Sequence, residues 1–406
     1  MTAAWERDVL ALLRELVAID SVNPSLIPGA AGEGEVAHAV AAWARAAGLA
    51  ATITEPSPGR PSVVVRSGMG GDGRRLLLCG HLDTVGTGSM HAPFVPRIDG
   101  DRMYGRGTYD MKAGLAAALV ACREAHRRGL DGEVVVAAVA DEEHASLGIQ
   151  DVLDHLDVGT IDGAIVTEPT ELTVGVAHRG FVWQRIDVTG RAAHGSRPHL
   201  GVDAILGTGP ILTALRAFDR DLATRSHPLL GAGNLHASLI EGGQELSTIP
   251  DRCRLSIERR TLPGETAAQV EADLAALLDR CRRDDPDLEV TATTLLVRDP
   301  LETPTDDPLV TTSATAVHDA IGQAPTVGGM SYWADSAFLS AVGIPTVLFG
   351  PDGDGAHAEV EWVSLAGTVA CTRALIGTAA RFCTQPPEHR GHDGTARMEA
   401  EGSRRR

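Results

Sequence analysis

The sequence predicts an α/β protein built on a mostly parallel sheet, with a smaller ferredoxin-like α+β unit inserted into it. Three observations carry that reading. Apolar runs such as "RLLLCG" (75–80) and "EVVVAAVA" (133–140) alternate with helical patterns, as strands covered on both faces of a sheet do. From about Gly180 the strands instead alternate apolar and polar residues, the mark of a sheet with one wet face. The length of 406 residues also exceeds what one hydrophobic core usually organises.

In chain order, "MTAAWERDVLALLREL" reads as a charged amphipathic helix rather than a secretory leader. "GEVAHAVAAWARAAG" (34–48) is a second helix, and "RLLLCG" a buried strand. "KAGLAAALVACREAHRRG" (112–129) is a helix stopped by Gly129. The strands "EVVVAAVA" and "GAIVT" (163–167) come after it. The insert is next. It runs from the strand "FVWQRIDVTG" (181–190) through a helical stretch at 201–218 to the strands "NLHASLIEGG" (234–243) and "RCRLSIERR" (252–260). The amphipathic helix "ETAAQVEADLAALLDRCRR" (265–283) and the strand "LEVTATTLLV" (288–297) complete a β-α-β-β-α-β order. The α/β pattern resumes with a helix near 307–321, the strand "IPTVLFG" (344–350) and a last helix at 364–382. The expected domains are 1–177 plus 296–383, and 178–295 for the insert. The polar, aperiodic stretch 384–406 is expected to be disordered.

Composition narrows the function. The net charge is −18, with no basic block except the last few residues, which argues against nucleic acid as a partner. No apolar run approaches the ~20 residues of a membrane span. Six cysteines are scattered without a C-x-x-C pair, which suits a reducing compartment. A soluble, cytoplasmic protein is the expectation. Lys112 is the only lysine in the chain. A bias toward arginine codons explains the general pattern; the one lysine that survives it hints at a position where a guanidinium does not fit.

Ligands of α/β sheets bind beyond the carboxyl ends of the strands. The residues just past each apolar run are therefore informative. After "LLLCG" come His81 and Asp83, two residues apart and so on one side of an extended chain. After "VVVAAVA" come Asp141, Glu142, Glu143 and His144; after "GAIVT" comes Glu168; after "TVLFGPDGDGA" comes His357. Asp110 stands in the glycine-rich turn "YGRGTYDMKAG" (104–114), where it could also cap the helix that begins near Lys112. Each residue alone has an ordinary reading as a loop or turn residue. Gathered at one sheet edge, their charges are unfavourable without compensation. A pair of divalent cations would neutralise them. Two histidines with three carboxylates suit zinc, and open coordination positions would mark a catalytic site.

"GHLDTV", "GRGTYDMKAG", "ADEEHASLG", "VTEPT" and "GPDGDGAHAEVEWV" resemble, in order and spacing, the co-catalytic zinc deacylase and carboxypeptidase family. That family includes acetylornithine deacetylase, succinyl-diaminopimelate desuccinylase and aminoacylases, and the resemblance covers about residues 5–383. It implies two divalent ions, zinc with cobalt or manganese as alternatives, bridged by Asp110. His81 and Glu168 would complete one site, Glu143 and His357 the other. Asp83 would orient His81 and raise its basicity. Glu142 would be the general base that takes a proton from the attacking water. The Asp110–Met111 bond is often cis in this family. The insert would be a lid and dimerisation domain, making the protein a homodimer. His194, in "GRAAHGSRP", would stabilise the oxyanion. Arg260 would grip the substrate carboxylate through its planar fork; the adjacent Arg259 is the alternative, since strand alternation points only one of them inward. The segment "VGGMSYWADSAF" (327–338) is expected to line the pocket. Many relatives carry asparagine where this chain has Ser247, which leaves the substrate open. The implied reaction is metal-dependent amide hydrolysis, most directly deacylation of an N-acyl amino acid. A metallo-carboxypeptidase or dipeptidase acting on a short peptide is the alternative. No G-x-S-x-G nucleophile elbow is found.

Overall fold

The computed structural model describes residues 3–68 and 70–387. The stretch 388–406, where most of the expected disorder falls, lies outside the described residues.

Four strands form the centre of the main sheet, side by side in the order Glu133–Val139, Arg75–His81, Gly163–Val166 and Thr346–Leu348. All four run parallel. Their continuous apolar sequence has a simple cause. Leu77, Cys79, Val135 and Ala137 face a core that includes Ile149, Val152 and Leu339. Leu76, Leu78, Val134 and Val136 face another, with Leu115, Leu119 and Leu375. Both faces are covered, so polar residues are confined to the strand ends.

At the flanks the sheet adds antiparallel strands, and Val327–Met330 pairs parallel with Val174–His178. Ser62–Arg66 joins Glu133–Val139 antiparallel, and Ala50–Thr54 joins Ser62–Arg66 the same way. On the other side Val174–His178 pairs antiparallel with both Thr346–Leu348 and Leu301–Glu302. Ala50–Thr54 alternates exposed and half-buried residues at the sheet edge, so it lacks the continuous apolar run of the central strands.

Gly180–Thr189, Ala204–Leu222, Asn234–Gly242, Arg252–Thr261, Ala267–Asp284 and Glu289–Arg298 form the β-α-β-β-α-β unit. Its four-stranded antiparallel sheet has the order Asn234–Gly242, Arg252–Thr261, Gly180–Thr189, Glu289–Arg298. It has its own core, with Ile186, Ile211, Leu215, Leu255, Leu274 and Leu277. Helix Ala267–Asp284 starts at a capping box: Thr266 accepts from the Gln269 main chain and the Gln269 side chain accepts in return. Strand Asn234–Gly242 has a neighbour on one side only and leaves Leu239 and Ile240 exposed.

Helices Pro308–Ile321 and Leu365–Phe382 then complete the cover of the main sheet. Among the described residues, no helix is long and apolar enough to cross a membrane.

Candidate metal centre

His81 ends its strand with Nε2 3.1 Å from Asp110 Oδ1 and 3.9 Å from Glu168 Oε1. The second Asp110 oxygen, Oδ2, lies 3.3 Å from His357 Nε2, which in turn lies 3.0 Å from Glu143 Oε2. Two trios therefore share one carboxylate: His81–Asp110–Glu168 and Asp110–Glu143–His357. Within each trio the donor atoms lie within 4.8 Å of one another.

The turn that carries Asp110 is held from two sides, and its Asp110–Met111 bond is cis. Glu361, buried, accepts from the Tyr109 and Asp110 main-chain N–H groups at 2.9 and 3.1 Å. Its other oxygen accepts from Gly107 N–H at 2.9 Å and from Arg106 Nη1 at 2.7 Å. Lys112, fully enclosed, donates through Nζ to the Leu16 and Ile19 carbonyls, both at 2.9 Å. Burial lowers its pKa to about 7. The site is a small one between two carbonyls, which suits a compact amine.

Asp83 orients His81 by a different atom from the one expected. His81 Nδ1 donates to the Asp83 main-chain oxygen at 2.9 Å, whereas the nearer Asp83 carboxylate oxygen is 3.7 Å away. That carboxylate instead accepts from Asn23 Nδ2 at 2.7 Å and from the Glu142 and Glu143 N–H groups, both at 3.2 Å. It thus ties the end of one strand to the turn after the next. With Nδ1 carrying the proton, the Nε2 lone pair is left for a cation.

The electrostatics favour cations here. Burial, reinforced by neighbouring carboxylates, pushes Glu142 and Glu143 above the ordinary range, Glu168 up to about 8 and Asp335 up to about 7. For Asp110, burial is outweighed by the hydrogen bonds with His357 and His81, which hold its carboxyl below the ordinary range. Glu143 Oε1 is buried with no hydrogen-bond partner among the described residues. Orphaned oxygen, excess acid and a donor set of imidazoles and carboxylates all fit a pair of divalent ions.

Glu142, Glu143, Glu168 and His357 share the walls of a cavity of about 380 Å³ with Tyr109, Tyr332 and Trp333. The two arginines divide as strand alternation requires. Arg259 is buried, paired with Glu265 and Asp273. Arg260 turns to the other side, donating to the Ser331 carbonyl at 2.9 Å, next to the cavity wall. His194 is exposed, 2.8 Å from Ser196 Oγ through Nδ1, and is not among the described residues that line the cavity.

A model of peptidase family M20/M25/M40 matches residues 77–381. The chain belongs to that family. Among the curated members it resembles is an acetylornithine deacetylase of Myxococcus xanthus, 29% identical over 328 residues, or 79% of this chain and 83% of that protein. Solved structures of the same fold include a tripeptidase from Staphylococcus aureus, at TM-score 0.74 and 19% identity over 94% of this chain and 99% of that one. They also include a dinuclear metal binding M20 peptidase from Bacillus subtilis, at TM-score 0.73 and 14% identity over 94% of this chain and 99% of that one. Membership makes the protein a metal-dependent hydrolase of amide bonds.

Sequence patterns do not reveal several of the residues that position this M20 centre. Arg60, nearly buried, meets Glu33 through Nε at 2.9 Å and Nη2 at 2.6 Å, and Asp141 at 2.7 Å. Asn23 joins Asp141 and Asp83. These side chains brace the turn carrying Glu142 and Glu143. Glu361 lies inside the motif "GPDGDGAHAEVEWV", so a signal exists for it. Arg60, Glu33 and Asn23 lie in loops without periodicity, and nothing in the sequence pairs them.

Proposed function

We propose that the protein removes the acyl group from an N-acyl amino acid by hydrolysing its amide bond. One observation carries the reading: two ligand trios share Asp110, and all their members but His81 line one cavity with Glu142. The similarity to curated acetylornithine deacetylases supports acyl removal over peptide cleavage. His81, Asp110 and Glu168 would hold one ion; Asp110, Glu143 and His357 the other. Zinc suits this donor set best, with cobalt or manganese as substitutes. When bound, such ions acidify a water and polarise the amide carbonyl.

The side chains do the rest. Glu142 takes a proton from the attacking water and passes it to the leaving nitrogen. Asp83 keeps His81 and the Glu142–Glu143 turn in register. Arg260 binds the substrate carboxylate with its fork. His194 donates to the developing oxyanion. Since His194 is exposed and apart from the cavity walls of its own chain, a partner subunit supplies it. The protein is then a homodimer built through residues 178–295, with 1–177 and 296–383 as the catalytic domain. The one-sided strand Asn234–Gly242, with Leu239 and Ile240 exposed on it, Leu246 exposed after it and Leu206 exposed on helix Ala204–Leu222, supports an isologous contact there. The six free, buried cysteines support a cytoplasmic location.

The test is a screen. Protein loaded with zinc, manganese or cobalt is given N-acetyl, N-succinyl and N-carbamoyl amino acids and dipeptides, and amine release is recorded. Release from N-acyl amino acids is expected. Release from dipeptides alone points to a dipeptidase, and no release with any metal overturns the proposal.

A further inference from the structure

Trp333 belongs to two structures at once. Its side chain forms part of the cavity wall beside Tyr332. It is also clasped by both passages of chain that join the main sheet to the inserted unit. On the entering passage, His178 and Phe181 meet the indole edge-to-face, with ring centroids 6.4 and 6.1 Å away. On the leaving passage, Trp333 Nε1 donates to the Asp299 main-chain oxygen at 3.1 Å. The Arg298 guanidinium lies 5.3 Å from the Trp333 ring centroid and 5.4 Å from that of Phe338.

Arg298 extends the connection. Its Nη2 donates to the Ala145 carbonyl at 3.2 Å, two residues beyond Glu143 on the turn that carries both glutamates. From the insert itself, Arg260 donates to the Ser331 carbonyl at 2.9 Å, two residues before Trp333. The entering passage adds His178, whose Nε2 is 2.8 Å from Ser336 Oγ.

These contacts limit how the insert can turn. It is joined to the sheet by backbone only near 178–180 and 298–301. With Trp333 anchored at the pivot by its Nε1–H bond to Asp299, any rotation about those two points moves Phe181 across the indole and draws Arg260 away from Ser331. A ligand group that packs on the cavity side of the indole therefore bears on the hinge as well. We propose that Trp333 is a positioning residue through which filling of the cavity sets the angle of the inserted unit, and that Arg298 transmits that angle to the Glu142 turn. The inference rests on the proposed amide hydrolysis. It adds that closing the insert and aligning the base are one event, governed by a residue that holds no metal and moves no proton.

The test uses Trp333→Phe, Arg298→Met and the double variant, each metal-loaded, with the best substrate of the parent enzyme. Trp333→Phe keeps an aromatic wall and loses the bond to Asp299. Arg298→Met leaves the wall and removes the link to Ala145. Each single change is expected to lower kcat roughly tenfold or more, as misalignment of a base does, while KM moves less than about threefold and metal content stays at two per chain. Because both act through one connection, the double variant should be no slower than the slower single one. Losses of kcat that multiply in the double variant and follow its melting temperature describe ordinary structural damage and overturn the inference.

A second readout avoids turnover and folding effects on rate. In the Glu142→Gln background, adding substrate should shift tryptophan fluorescence, and Trp333→Phe should abolish the shift. A shift that persists comes from the other tryptophans and likewise refutes the proposed role. Turnover by the parent with unaltered variants overturns this inference alone. Absence of turnover by the parent overturns the reading beneath it, and this inference with it.

Discussion

Glu142 and Glu143 are neighbours on one turn, and both send their main-chain N–H groups to Asp83. Their side chains nevertheless serve different ends. Glu143 meets His357 at 3.0 Å within a trio, whereas Glu142 belongs to neither trio but shares the cavity. Glu142→Gln should keep both metals and lose ~10²-fold or more in turnover. Glu143→Gln should lower the metal content toward one per chain. An active Glu142→Gln enzyme would show that the proton carrier is elsewhere. Asp110 belongs to both trios, so Asp110→Ala should fall below two zinc ions per chain by elemental analysis after loading. Zinc retained at two would refute the bridging role.

Strand Arg252–Thr261 shows how one element sorts two like residues. Arg259 and Arg260 are adjacent and chemically identical, but successive side chains of a strand leave on opposite faces. Arg259 enters the insert's interior, lies over Phe218 and pairs with Glu265 and Asp273. Arg260 lies over Phe181 and reaches Ser331. Arg259→Met should cost about 1–3 kcal/mol in urea denaturation, the range for losing hydrogen bonds to charged groups, with KM unchanged. Arg260→Met should do the reverse. Its stability should hold, while KM rises about tenfold to a hundredfold from the loss of one charged hydrogen bond to substrate. An unchanged KM would remove Arg260 from the substrate site.

At the scale of the whole molecule, the decisive question is whether His194 crosses between subunits. Two inactive variants answer it. On the proposed roles, His194→Ala lacks the oxyanion donor, worth ~10²–10³ in rate, and Glu142→Gln lacks the base. Co-expressed, a mixed dimer with crossed sites contains one complete centre: the His194→Ala chain keeps its own Glu142 and receives His194 from its partner. Activity should return, to at most about one quarter of the parent value if chains mix at random. If His194 serves its own chain, every site in every mixed dimer still lacks one group, and complete chain exchange will restore nothing.

The sequence by itself determined the central strands, the inserted unit and where the charged residues gather. Strands covered on both faces read as unbroken apolar runs, so the residues that follow them, His81, Glu142, Glu143 and Glu168, stand out where a parallel sheet presents its ligands. The wet face of the insert made its alternation legible in the same way. Only the tertiary structure decided what depends on meeting across long separations. Sequence alone sets Asp83 on the same side of the chain as His81, but folding brings its main-chain oxygen to the ring and its carboxylate to a turn 60 residues away. Arg60 reaches Asp141 across 81 residues, and Trp333 meets Asp299 across 34. No periodicity records such contacts. They exist because buried polar groups must find partners, and which partners lie within reach is set by the packing of elements rather than by any one of them.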